Sequence, residues 1–242
     1  MDDLAYLVGS RMKGLEENLQ TIAHNLANAG TPGFKRTVGK FAAVMDGLQN
    51  AEGTTPEEGL TYAELAARAL DLSPGALRRT GRPLDVAVRG QGMLVVATPR
   101  GERYTRKGRL YVTPQGELTD GNGYRLAGDT GTLRLPDAAA QLLIDASGNL
   151  RADGRTLGRL RLVDIPQPSA LVPEGGGLYR NDGPAGRPAA DSEIIQGSLE
   201  ESNVKPVHEM VALIEVMRAY EASSRIARRL ELLNRQLVKD AS

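Results

Sequence analysis

Few side chains in this sequence have the types that enzyme or metal chemistry requires, and their spacing does not group them. His24 and His208 could act as acid–base groups or metal ligands. Each lies in a stretch of helical periodicity near one end of the chain, with no second ligand at ligand spacing. Asp85, Asp145 and Asp164 fall in separate strand-like stretches, and nothing in the sequence pairs them for proton transfer. No serine occupies a nucleophile-elbow sequence. The glycine-bearing "GQGMLV" and "GDTGTL" lack both the Lys-Ser/Thr pair and the following helix of a phosphate cradle. Cysteine is absent, which excludes disulfides, thiolate nucleophiles and Cys–zinc sites. The chain therefore reads as a non-enzyme with no catalytic, cofactor or metal residues to assign.

The densest charge is in "RGERYTRKGRLY", where Arg100, Arg103, Arg106, Lys107 and Arg109 alternate with Tyr104 and Tyr111. Such interleaving can follow a nucleic-acid backbone and stack bases. The opposing reading is a solvated hairpin edge whose charges discourage edge-to-edge pairing. With 30 basic and 30 acidic residues the formal net charge is +0. Bulk electrostatics thus give nucleic acid no wider support, and it is not expected as a partner. No run approaches the roughly 20 apolar residues of a membrane span. Asp2 and Asp3 precede no signal-like apolar core, so neither membrane insertion nor a cleaved secretory signal is expected.

The most regular elements are the two ends. Val8, Met12, Leu15, Leu19, Ile22 and Leu26 are spaced 4, 3, 4, 3, 4, the spacing of a coiled-coil seam. Asn28, Gly30, Thr31, Pro32 and Gly33 then stop that helix. Gly30 and Gly33 permit a corner, Pro32 fixes it, and Phe34 is a candidate anchor beyond it. At the other end Asn203 is a candidate N-cap and Pro206 suits a first turn. Val207, Met210, Val211, Leu213, Ile214, Met217 and Tyr220 form a broad apolar stripe that Ile226, Leu230, Leu233 and Leu237 continue. Residues 1–28 carry net −2 and residues 218–239 net +4, which favours one helix choosing the other.

Between the ends the periodicity changes to two. "PLDVAVRGQGMLVVAT" reads as a hairpin turning at Gly90–Gly92, and "GRLYVTPQGELTDGNGYRLAG" as two more turns between strands. "GTLRLP", "QLLIDASGNL" and "GRLRLVDI" add short strands, while residues 166–188 read as a loop. Residues 37–80 are ambiguous, because "PEEGLTYAELAARAL" has helical composition before an extended "LSPGALRRTGRP". The expected fold is α+β: N- and C-terminal α-helices forming a coiled-coil-like layer, with a central all-β domain. The expected boundaries are 1–36 for the first helix and corner, 37–80 for an extended connector, 81–198 for the β domain and 199–242 for the last helix.

The stretches "NLANAGTPGFKR" and "GSLEESNVKPVHEMVALIEVMRAYEASSRI" resemble the bacterial flagellar axial proteins, the rod and hook subunits. Asn25, Leu26, Ala27, Asn28, Thr31, Gly33, Phe34, Lys35 and Arg36 match the first family motif. Leu199, Glu200, Ser202, Asn203, Val204, Glu209, Met210, Ile214, Arg218, Ala219, Tyr220 and Glu221 match the second. "TGRPLDVAVRGQGMLVV" and "YTRKGRLYVTPQGELTDGNGYRLAG" extend the likeness over nearly the whole chain, and His24 stands where the family often has Asn. The resemblance implies a structural subunit of the basal-body rod, which carries torque. It implies polymerisation with other rod subunits and with copies of itself, and delivery by the flagellar export apparatus. "MDDLAYL", "TPGFK" and "SNVKPV" look most like a proximal rod subunit, a distal one being the alternative. The assembly interface is then expected to be Val8, Met12, Leu15, Leu19, Ile22, Leu26, Asn28, Phe34, Asn203, Met210, Leu213, Met217, Tyr220, Leu230, Leu233 and Leu237. The competing class is a secreted β-domain enzyme or glycan binder carried by helical ends.

Overall fold

The computed structural model describes residues 2–45, 61–129, 131–136 and 141–240. The chain divides into two units, one comprising Met1–Ala27, Thr37–Ala69 and Lys205–Ser242, the other Asn28–Arg36 and Leu70–Val204.

The first unit holds the two long helices, α1 (Asp2–Ala27) and α2 (Pro206–Asp240). At about 1.5 Å per residue they are roughly 39 and 52 Å long. α1 stops at the Asn-Ala-Gly-Thr-Pro-Gly stretch as its breakers require, and α2 begins on proline, whose missing N–H costs nothing there. They pack on each other, and Asn25 near the end of α1 meets Glu209 near the start of α2, so they run antiparallel. The strands Thr37–Met45 and Thr61–Leu70 pair as a two-stranded sheet. The helical composition of 61–70 is thus overridden, because the strand Thr37–Met45 supplies a ladder that local propensity does not register. The "PEEGL" part of that reading, and the segment 46–60 that contains it, lies outside the described residues.

The expected coiled-coil-like layer is not formed. Among the described residues there are only two α-helices, and the central domain is mostly β. The physical reason lies in both helices. A seam needs apolar side chains at successive inner positions, yet the buried positions include Thr21 and Asn25 on α1 and Glu209 and Ser223 on α2. On α2 the apolar arc is also wider than one neighbour covers. Leu213, Val216, Tyr220, Ala227 and Leu230 are half-buried, while Met210, Val211, Ile214, Met217, Ile226, Leu232 and Leu233 are exposed.

The second unit is the β body. Its main sheet runs through Met93–Thr98, an apolar strand covered on both faces. Leu94 and Val96 enter one core with Val86, Val88, Leu110, Leu118, Leu126, Leu150 and Ile194. Met93 and Val95 enter a second with Leu70, Tyr104, Val163, Ile165, Leu171 and Tyr179. The meander expected from 108 to 128 is present, with Tyr111–Val112 against Leu118–Thr119 and the latter against Arg125–Gly128. The first expected hairpin is not. Val86–Arg89 pairs instead with Glu193–Gln196, a hundred residues away, while Met93–Thr98 pairs with Gly101–Thr105. The Gly90–Gly92 link is pressed against Asp191 and Ser192, with Gly92 N–H donating to Ser192 Oγ at 2.9 Å, and this sends the two strands to different sheets. Residues 166–188 are not a plain loop either. Leu171–Gly175 and Leu178–Asn181 form a hairpin over three glycines of positive φ.

Candidate functional site

Residues 28–36 of the first family-like stretch and 197–204 of the second meet inside the β body. After Asn28 the chain makes a turn closed by Thr31 N–H donating to Asn28 O, and Gly33 N–H then donates to Glu200 O at 2.7 Å. Gly33 sits at φ +71, and an added Cβ would collide with the Arg106 carbonyl, so only glycine fits this crossing. Phe34 is buried here. Lys35, 1% exposed, donates through Nζ to Glu200 Oε1 at 2.6 Å and to Ser73 O at 2.7 Å. Glu200, also 1% exposed, accepts in addition from Gly75 N–H at 2.9 Å and from Arg106 Nη1 at 3.4 Å. Arg106 continues to the carbonyls of Val88 and Gly90. Two buried cations therefore share one buried carboxylate. Burial pushes the Lys35 ammonium below its ordinary value, against the hydrogen bond and charge of Glu200, which raise it. Burial likewise lowers Arg106.

Tyr179 closes this core, its hydroxyl accepting from Lys35 N–H at 3.3 Å. Burial raises that hydroxyl from 10.0 to about 12. The folded chain thus holds the Tyr179 proton more tightly than the unfolded one. The associated stability is present in full below pH 10.0 and is lost as pH rises through about 12. The shift corresponds to a stabilisation on the order of 2–3 kcal/mol. In an alkaline ultraviolet titration of the chain's seven tyrosines, the last to ionise is expected to be Tyr179. That late step should be missing in Tyr179→Phe. A variant that loses only an ordinary step would refute the assignment.

Asn203 does not cap α2, as its position suggested. The helix starts at Pro206, and the Asn203 amide is taken up elsewhere. Its Oδ1 accepts from Arg36 N–H at 2.7 Å, while Nδ2 donates to Asp71 O at 2.8 Å and Ser73 O at 3.1 Å. In the helical unit a second asparagine acts similarly. Asn25 exchanges two bonds with the Thr37 backbone, at 2.8 and 2.9 Å, and donates to Glu209 Oε2 at 3.3 Å.

Of the residues expected at an assembly interface, Val8 and Ile22 are buried in the chain, and Met12, Leu15, Leu19, Leu26, Leu213, Tyr220 and Leu230 are half-buried. Met210, Met217 and Leu233 are exposed, together with Val207, Val211, Ile214, Ile226 and Leu232. The side chain of Leu237 lies outside the described residues. The basic stretch is paired with carboxylates: buried Arg103 meets Glu174 and buried Arg106 meets Glu200, while exposed Arg100 also meets Glu174 and exposed Arg109 lies 4.0 Å from Asp85. Cations so engaged are poorly placed to follow phosphates. His24 and His208 are exposed on different helices. Among the described residues no three His, Asp or Glu side chains gather where a metal could be held. Lys35, Glu200 and Arg106 were missed as a site because charged residues read as surface in a sequence; only their places in the family-like stretches marked the first two.

Comparison with known proteins bears on this geometry. Residues 87–152 match the family described as flagellar hook protein FlgE/F/G D1 domain, and residues 195–231 match flagellar basal body rod FlgEFG protein C-terminal. The chain is 32% identical over 247 residues to the flagellar basal-body rod protein FlgF of Caulobacter vibrioides, covering 99% of this chain and 98% of that one. It is 33% identical to FlgF of Salmonella typhimurium, over 93% of each chain. It is 28% identical to the basal-body rod protein FlgG of Bacillus subtilis, over 95% of each. A chain that carries both family-like stretches and is similar end to end to such proteins belongs to the flagellar basal-body rod protein family.

Proposed function

We propose that the chain is a structural, non-catalytic subunit of the flagellar basal-body rod, of the proximal kind, and that it joins neighbouring rod subunits through the apolar face exposed on α2. The observation that carries this reading is that face: Val207, Met210, Val211, Ile214 and Met217 are exposed together on the first three turns of the 35-residue α2 of a rod-family chain, and Leu232 and Leu233 are exposed near its end. A cluster of five exposed apolar side chains on one short stretch of helix is a surface suited to a partner. Half-buried Met12, Leu15, Leu19 and Leu26 on α1, and Leu213, Tyr220 and Leu230 on α2, would be covered further as neighbours arrive. The proximal assignment is favoured because the relatives named FlgF share more identity with the chain than those named FlgG. A distal position is the second reading. A rod subunit acts beyond the inner membrane, and we assign its passage to the flagellar export apparatus.

Deleting the gene is expected to abolish swimming and to leave basal bodies without a complete rod. A tagged full-length copy should restore both and co-purify with basal bodies. A deletion strain that swims normally on intact rods would overturn the reading.

A further inference from the structure

The two units treat their arginines differently. In the β body even exposed guanidinium groups have carboxylates to meet: Arg78 lies 3.0 Å from Glu201, Arg125 2.6 Å from Glu117 and Arg161 2.6 Å from Glu102. The second half of α2 exposes Arg218, Arg225, Arg228 and Arg229. Among the described residues no carboxylate pairs with any of them, and Arg228 reaches only Ser224 Oγ, at 3.2 Å. From 218 to 233 these four arginines stand against Glu221 and Glu231, a net of +2. Arg218, Arg225 and Arg229 follow at intervals of seven and four, so at about 100° per residue they fall within roughly 40° of one another. Exposed Leu232 lies in the same row, with exposed Ile226 and Leu233 on one flank and Arg228 on the other. Ala222, Arg225, Ile226, Arg228, Arg229 and Leu232 line one open depression, so cations and apolar surface are presented together.

We infer that the second half of α2 is a docking surface for an anionic lipid bilayer. It serves the lone chain, whether or not that chain goes on to enter a rod. Clustered cations without carboxylates present their full charge to solution, and anionic headgroups raise partition by roughly fivefold per arginine. Arginine stems are apolar. The row can therefore lie along the headgroup plane with its guanidinium groups on phosphates, while Ile226, Leu232 and Leu233 enter the acyl boundary. Those three side chains favour lipid over other polyanions. A nucleic-acid backbone would leave them without apolar cover. They also span an arc of about 120°, which a fluid bilayer covers without the matched ridges and grooves a helical protein partner needs. Among the described residues no helix is long and apolar enough to cross a membrane, so the contact lies along the surface.

The test is co-sedimentation of the full chain with vesicles of phosphatidylcholine, alone or mixed in equal parts with phosphatidylglycerol, with circular dichroism of each variant. The wild type is expected to pellet with the mixed vesicles, to be released by high salt, and to stay in solution with phosphatidylcholine alone. Arg225→Gln combined with Arg229→Gln should lower partition on the order of 25-fold at unchanged helix content. Arg225→Lys combined with Arg229→Lys should keep most of the binding, because the charge is preserved. Should the glutamine pair lose helix, the lysine pair, the salt release and the lipid comparison decide. Equal binding to both vesicle types, binding to neither, or undiminished binding by a folded glutamine pair would overturn the inference. So would a chain that leaves vesicles alone yet is retained on polyglutamate or duplex DNA, which would assign the row to an acidic protein or to nucleic acid.

Discussion

Glu200→Gln is expected to lower the unfolding free energy of the full chain by about 3–5 kcal/mol at neutral pH, the cost of removing one partner from a buried ion pair. The substitution preserves shape, so no cavity contributes. What it removes is the charge that Lys35 Nζ meets at 2.6 Å and the carboxylate 3.4 Å from Arg106 Nη1. The Gly75 N–H at 2.9 Å keeps an oxygen acceptor only if the amide turns its nitrogen toward a cation. The pH dependence has a definite sign. Lys35 is already below 10.5 because of burial, and losing Glu200 removes the two interactions that raise it most. Between the depressed folded value and 10.5 the unfolded chain binds more protons than the folded one, so the variant's stability should climb with pH across that window. Adding Lys35→Met should recover much of the loss, since it removes the stranded charge. Urea titrations followed by circular dichroism give all three quantities. A loss below about 1 kcal/mol, the worth of one ordinary hydrogen bond, would show that the network is not held by charge.

How much of this was legible beforehand depends on the range of the interaction. The helices were readable because their signals are local. The stripe from Val8 to Leu26 and the breakers after it set the end of α1 to within a few residues, while the start of α2, read from Asn203 as a cap, came out a little early of Pro206. The meander through Gly116 and Gly123 was readable for the same reason, both glycines taking the positive φ that tight turns demand. Pairings across long separations were not. Nothing in "LDVAV" names residues 193–196 as its partner, and Asp85 through Val88 are buried without regard to the alternation that suggested one wet face. The charged core was hidden by type. Arg106 stood in a run of cations that read as surface, whereas its neighbours in the fold, Glu200 and Lys35, come from the two family-like stretches at opposite ends. The same reasoning explains the coiled-coil layer that was expected and not formed. A period of 3.5 reports which residues share a face, but not that the buried set would include Asn25, Glu209 and Ser223.

Because α2 has one covered side and one bare side, charges placed on the two sides should have opposite consequences. Ile214 is 52% exposed and Met217 47%, whereas Ile22 on α1 is 5% exposed. Ile214→Glu and Met217→Glu leave the charge in water in the lone subunit. Its stability should therefore change by no more than about 0.5 kcal/mol, the usual range for surface substitutions. Helix content should be unchanged. In the rod the same carboxylate would be enclosed against a neighbour's apolar surface, at a cost of several kcal/mol per contact. The expected result is a folded, secreted subunit that fails to enter basal bodies, and cells that do not swim. Ile22→Glu should do the reverse order of harm, unfolding the helix pair before assembly is reached, visible as lost helical signal in the purified chain. Leu19→Glu and Leu213→Glu, both half-buried, should fall between, weakening the pair and blocking assembly together. If Ile214→Glu and Met217→Glu cells swim as the wild type does, on rods of normal length, the bare side of α2 is not where subunits meet. The contacts would then have to be sought on the β body.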